Sequence, residues 1–248
     1  MPRLRNCPFT SSEMDRALGL LDSAIGTSDL LAPLAPIRFI CFGGALAVKV
    51  FQNREDTEDI DILLDPSVEA ISLYHEEIQR AVSAAAAQGR YEEDWFSDAC
   101  RLFIAQEKRP RLFAKSVQQD IVVYRGRSLV IYAASLDIAL ERKLRRLDCN
   151  LTSRDRGADV SDAVALVHAL RGEHPVGKDY VQALDLNELR APVKHSSIDL
   201  VAQEYIRKHR QQGIVEMNWD ETRQGCTYTN LQGELVFVPR YKDGHYQS

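Results

Sequence analysis

Asp59 and Asp61 are two carboxylates two residues apart, in the run Asp59-Ile60-Asp61-Ile62-Leu63-Leu64. On a β-strand, residues i and i+2 share a face, with backbone positions about 6–7 Å apart. Both acids then project one way, while Ile60 and Ile62 point the other way into a core. Two carboxylates on one face repel each other unless a proton or a cation lies between them. Mg²⁺ takes hard oxygen ligands and keeps coordination sites for substrate phosphates. The chemistry such a pair can do is metal-assisted phosphoryl transfer.

The residues upstream suit the other half of such a site. Ile37 to Phe42 is an apolar, β-branched run that reads as a buried strand. Gly43 and Gly44 break it, and Ala45 to Phe51 then carries apolar residues at helical spacing. Glycine permits close backbone approach, and a helix N-terminus offers N–H groups to phosphate. A polar turn, Gln52 to Glu58, leads into the Asp59 strand. A phosphate cradle and a carboxylate pair joined by a short helix suggest a metal–nucleoside triphosphate site. Each part alone has a plainer meaning: Gly-Gly is a turn, and Asp-x-Asp on a surface strand is solvated charge.

Gly43-Gly44-Ala45-Leu46-Ala47, then Arg54, then Thr57-Glu58-Asp59-Ile60-Asp61 resembles the signature of the nucleotidyltransferase superfamily, the polymerase-β-like fold. It looks closest to the minimal AbiEii-like branch. Ala45 stands where many members have Ser, so one phosphate-contacting hydroxyl is missing. The resemblance covers roughly Ile37 to Leu170. It implies a Mg²⁺-dependent enzyme that moves a nucleoside monophosphate from an NTP to a hydroxyl acceptor. Gly43, Gly44, Arg54, Thr57 and Lys143 would bind the nucleotide. Asp59, Asp61 and a third carboxylate on a neighbouring strand, for which Asp120 is the candidate, would hold the metal. Asp120 would accept the proton of the attacking hydroxyl or complete a second metal site; otherwise it caps a strand entry. Lys143-Leu144, Arg154 or Arg156, and Asp159-Val160-Ser161-Asp162 match a further ordered pattern of that branch. Lys143 would then reach the triphosphate, and Asp159 or Asp162 would support it. The plainer reading of these residues is a solvated charged helix. Two other functions stay open: a catalytically inactive member acting as a binding module, and the scaffold reused for small-metabolite chemistry. The acceptor could be the end of an RNA such as a tRNA, a protein or a small molecule. Arg142, Lys143, Arg145, Arg146, Arg154 and Arg156 could form a short basic lip.

The 248 residues suit one large or two small domains. No run approaches the ~20 apolar residues that a membrane span needs, and the N-terminus lacks the apolar segment of a secretory signal. The five cysteines, Cys7, Cys41, Cys100, Cys149 and Cys226, are dispersed, as expected for a reducing, cytoplasmic setting. A net charge of −5 argues against a wide nucleic-acid-binding face. The six histidines are scattered, and no zinc-spaced Cys–His set or phosphate-binding Gly-x-x-x-x-Gly-Lys loop occurs.

Two domains are expected, 1–134 and 135–248. The fold class is α+β: a nucleotidyltransferase-like mixed sheet flanked by helices, followed by a mainly helical part with a small β-hairpin. Thr10 caps a helix to Ser23, with Glu13 completing a capping box. A long helix runs from Ser67 to Gln88, with His75 half-buried or on its surface. Tyr91 to Asp98 is a loop anchored by Trp95 and Phe96. Short strands are expected at Arg101–Ala105, Arg111–Lys115, Ile121–Tyr124 and Ser128–Ala133. Helices follow at Leu136–Leu147, Asp159–Leu170, Lys178–Leu189 and Ser197–Gln212. Cys226–Asn230 and Glu234–Val238 form a hairpin around Gln232-Gly233, and the polar tail, Lys242 to Ser248, reads as mobile.

Overall fold

The structure, a computed structural model, describes residues 9–149, 153–186, 188–239, 241–242 and 245–246; at 153–154 and beyond 239 only the backbone is described. The chain divides into two units, Met1–Ser135 and Leu136–Ser248.

In the first unit a two-residue strand, β1 (Phe9–Thr10), leads straight into helix α1 (Ser11–Thr27). The Thr10 hydroxyl accepts the Glu13 backbone N–H at 3.3 Å, which satisfies one of the free donors of the first turn. Met14, Leu18, Leu21 and Ile25 recur at helical spacing and are all buried. Strand β2 (Ile37–Cys41) follows, then helix α2 (Gly44–Lys49), a short strand β3 (Asp56–Thr57) and strand β4 (Ile60–Leu64). Helices α3 (Pro66–Glu69) and α4 (Ser72–Gly89) lead to strand β5 (Phe96–Ser97). Helix α5 (Arg109–Gln119) and strands β6 (Val122–Arg125) and β7 (Leu129–Ala133) complete the unit.

Five strands form one mixed sheet in the order β5-β4-β2-β7-β6. β4 runs antiparallel to β2, with Cys41 opposite Ile62, and β7 runs parallel to β2, with Cys41 opposite Ala133. β5 lies parallel to β4, pairing Ile60 with Phe96 and Asp61 with Ser97. The central strands are buried on both faces: Phe39, Ile40, Leu63, Leu64, Leu129 and Ile131 are all in the core. Each such side chain contributes about 1.5–3 kcal/mol through burial. The remaining pairing, β1 against β3, places Phe9 opposite Thr57.

Several expected elements come out differently. Arg101–Ala105 is not a strand; Ala99–Phe103 forms a short 3₁₀ helix. Arg111–Lys115 lies inside α5, where Pro110 occupies the first turn and Leu112, Phe113 and Ser116 form the buried face. Proline's fixed φ favours that helical position, and a 3.6-residue period operates where the sequence shows a short alternation. The helix expected over Ser67–Gln88 is interrupted at Ala70-Ile71, between α3 and α4. Trp95 and Phe96 are buried as expected, but Phe96-Ser97 also adds a strand to the sheet.

The second unit opens on helices α6 (Leu136–Leu147) and α7 (Ser153–Leu170). A two-residue strand β8 (Val176–Gly177), a single-turn helix α8 (Lys178–Gln182) and helix α9 (His195–His209) follow. The helix expected from Lys178 to Leu189 thus stops early. Asp185 instead organises a loop, accepting the N–H groups of Leu189 and Arg190 at 2.7 Å each. Strand β9 (Ile214–Val215) pairs in parallel with β8. Strands β10 (Asn218–Asp220), β11 (Gly225–Thr229) and β12 (Leu235–Pro239) make an antiparallel sheet containing the expected hairpin. In the tail, the backbone of Tyr241–Lys242 pairs with His245–Tyr246; the other tail residues lie outside the described ones. Among the described residues no helix is long and apolar enough to cross a membrane.

Candidate functional site

The β2-turn-α2 unit exists because Gly43 takes up a backbone conformation, φ 64° and ψ −137°, that other residues reach only with strain. Space points to glycine as well. A Cβ at Gly43 would stand 3.2 Å from Asp61 Oδ2. A Cβ at Gly44 would collide with the Thr57 hydroxyl at 2.0 Å. The turn is therefore pressed against the residues that carry the candidate chemistry. The Phe42 N–H donates to the Asp61 carbonyl at 2.9 Å and locks turn to strand.

On β4, Ile60 and Ile62 are buried, while Asp61 on the strand and Asp59 just before it keep partial solvent contact. Burial first, then the charges of Asp61, Glu58 and Asp94, together push the Asp59 carboxyl up to about 6. Every neighbouring charge that acts on it is negative. Burial and the nearby Asp61 also push the Cys41 thiol well above its usual range. The pair thus offers hard oxygen donors among like charges, a chemistry that fits Mg²⁺. Among the described residues no group of three or more His, Cys, Asp or Glu side chains is placed to hold a metal ion. A two-carboxylate set fits an ion that arrives with phosphates, since those supply the remaining oxygens.

The other expected site residues fall as follows. Thr57 is only 7% exposed, and its hydroxyl faces Gly44; it supports the turn from beneath. Ala45 is buried in the core. Arg54 is half-buried in the segment between α2 and β3. Asp120 does not stand on a strand beside β4. It ends α5 in the left-handed conformation, φ 57°, which Asp tolerates better than most residues. Two strands, β7 and β2, separate β4 from β6, the strand that follows Asp120, so β6 lies three strand spacings, about 14 Å, from β4. β4 has β2 on one side and β5 on the other, and β5 is flanked by Asp94 and Asp98. Asp94 acts on Asp59, whereas Asp98 pairs with His75 at 3.2 Å. From sequence the acidic cluster that holds Asp94 could be a second metal site, and it reads more plainly as a loop anchored by Trp95 and Phe96, because a two-residue strand gives almost no periodic signal.

In the second unit Lys143 meets the two acids grouped with it from sequence. Its ammonium lies 2.7 Å from both Asp159 and Asp162, and its side chain is 10% exposed. Arg146 donates to the other Asp159 oxygen at 2.9 Å. The basic lip is largely spent on internal contacts. Arg145 pairs with Glu141 at 2.7 Å and donates to the Ala191 carbonyl. Arg156 donates to the Leu147 carbonyl. The Arg154 side chain lies outside the described residues.

Comparison with family models, with curated proteins and with solved structures gives no match.

Proposed function

We propose that the first unit is a nucleotidyltransferase-type catalytic core of the polymerase-β-like kind, nearest the minimal AbiEii-like branch. It would use Mg²⁺ to move a nucleoside monophosphate from an NTP to a hydroxyl acceptor. One observation carries the reading: the glycine turn is packed against the Asp61 carboxylate, with Asp59 beside it in a field of like charge. In this reading Asp59 and Asp61 hold the metal from one face of β4. Gly43 and Gly44 leave the room in which phosphate oxygens approach the backbone, and Arg54 offers a cation from the segment between α2 and β3. Mg²⁺ bound there supplies the positive charge that offsets charge developing on the phosphates and the leaving pyrophosphate. Asp120 is left out of the reading. The acceptor, whether an RNA end, a protein or a small molecule, is set by surfaces other than these residues.

The test is to supply labelled ATP, CTP, GTP and UTP with Mg²⁺ and to follow label transfer and pyrophosphate release. Asp61→Ala should abolish both while the unit stays folded. Unchanged turnover in that variant removes the mechanism.

A second reading has a specific observation behind it. The described residues group no third metal-ligating side chain with Asp59 and Asp61, which suits a non-catalytic module that binds a nucleotide or a partner. Calorimetry separates the two: nucleotide binding without metal-dependent turnover, or no nucleotide binding at all, supports the module.

A further inference from the structure

Two supports hold the Asp59–Asp61 segment and its glycine turn, and Phe9 is a neighbour of both. The first support is Thr57, whose hydroxyl stands beneath Gly44 and whose strand partner across the β1–β3 pair is Phe9. The second is Trp95, whose carbonyl accepts the N–H of Ile60, the residue between the two acids, at 2.8 Å. The Phe9 ring centroid lies 5.9 Å from that of Trp95 and 5.1 Å from that of Tyr91. Phe9 is 4% exposed and Trp95 1%. A two-residue strand pairing is weak alone, and the buried Phe9 ring adds contact with Tyr91 and Trp95 beside it.

We propose that Phe9 is a positioning residue for the carboxylate pair and the glycine turn. Seated on Trp95, it presses β3 up so that Thr57 braces Gly44, and it fixes Trp95 alongside Ile60. Any event that draws Phe9 from its seat loosens both supports together. A local opening of this kind is read by hydrogen exchange at specific amides, and global destabilisation is read at all of them. The informative amides are those of Phe42 and Ile60, which bond the Asp61 and Trp95 carbonyls.

The experiment compares Phe9→Ala with Leu21→Ala, a buried truncation on α1, in metal-free protein at denaturant concentrations that equalise global stability. Phe42 and Ile60 should exchange at least tenfold faster in Phe9→Ala than in the control, with Phe9→Leu in between. If Phe9→Ala does not fold, Phe9→Leu carries the comparison, with an expected acceleration of about threefold. Equal rates at matched stability overturn the proposal. A second arm titrates Mn²⁺ alone; its affinity should fall at least fivefold in Phe9→Ala and hold in Leu21→Ala. This arm rests on the proposed metal site. A wild type that binds no Mn²⁺ overturns that site and leaves the exchange arm to decide the role of Phe9. A wild type that binds, with affinity unchanged in Phe9→Ala, overturns the positioning role.

Discussion

Replacing Asp59 by Asn should make the metal-free protein more stable at neutral pH. The Asp59 carboxyl is raised from 3.8 to about 6, so between those values the folded state holds a proton that the unfolded chain has released. Its contribution to stability is therefore highest below about pH 4 and is lost as pH rises through about 6. A shift of that size corresponds to at most about 3 kcal/mol. Asp59 keeps part of its solvent contact, which roughly halves the figure to about 1.5 kcal/mol. For a unit of this size that is about 5 °C in Tm. The assay is thermal unfolding in chelator from pH 4 to pH 8, following the fluorescence of Trp95 in a Trp219→Phe background. Trp95 is buried in the first unit, and Trp219 is the only other tryptophan. Asp59→Asn should match the parent near pH 4 and exceed it by about 5 °C at pH 7.5. Equal stability at pH 7.5, or a gap that does not change with pH, would refute the reasoning.

Other outcomes follow from particular contacts. Lys143→Met leaves two buried carboxylates facing each other and should cost about 3–5 kcal/mol, read as a lower denaturant midpoint for the second unit. Gly44→Ala forces a methyl into the Thr57 hydroxyl and should cost about 1–3 kcal/mol, visible as a reduced Tm of the first unit. His209 stacks on His168 with ring centroids 4.6 Å apart; burial, then His168, Lys208 and Arg171, hold its pKa below the ordinary value. Its neutral form is the one the fold favours, so stability is lost as pH falls through about 6.5. His209→Phe should flatten that acid limb in a pH series of unfolding midpoints.

Much of the first unit was legible because local and tertiary preferences agree there. Ile37 to Leu64 reads as strand, turn, helix and strand, and folds so, with Ile60 and Ile62 inward and both acids partly outward. The Thr10 cap and the Gln232-Gly233 hairpin were likewise written in local residue chemistry. What stayed hidden was pairing between distant segments. Nothing near Asp120 says that α5 runs on to Gln119, or that β7 and β2 come between β6 and β4. Nothing near Phe96 says that two residues complete the sheet edge beside Asp61. Thr57, expected to meet nucleotide, also stands against Gly44, a closeness that appears only once the turn is folded. Lys143, Asp159 and Asp162 were grouped by order along the chain, and α6 and α7 do bring them together. Their mutual neutralisation shows only when distances are known.

The most direct test of the central claim is calorimetric titration of a non-hydrolysable NTP into wild type and Asp61→Asn, each with and without Mg²⁺. The account expects saturable binding that needs Mg²⁺ in the wild type and at least a tenfold loss of affinity in the variant. Nucleotide binding that is indifferent both to Mg²⁺ and to the Asp61 carboxylate would contradict it.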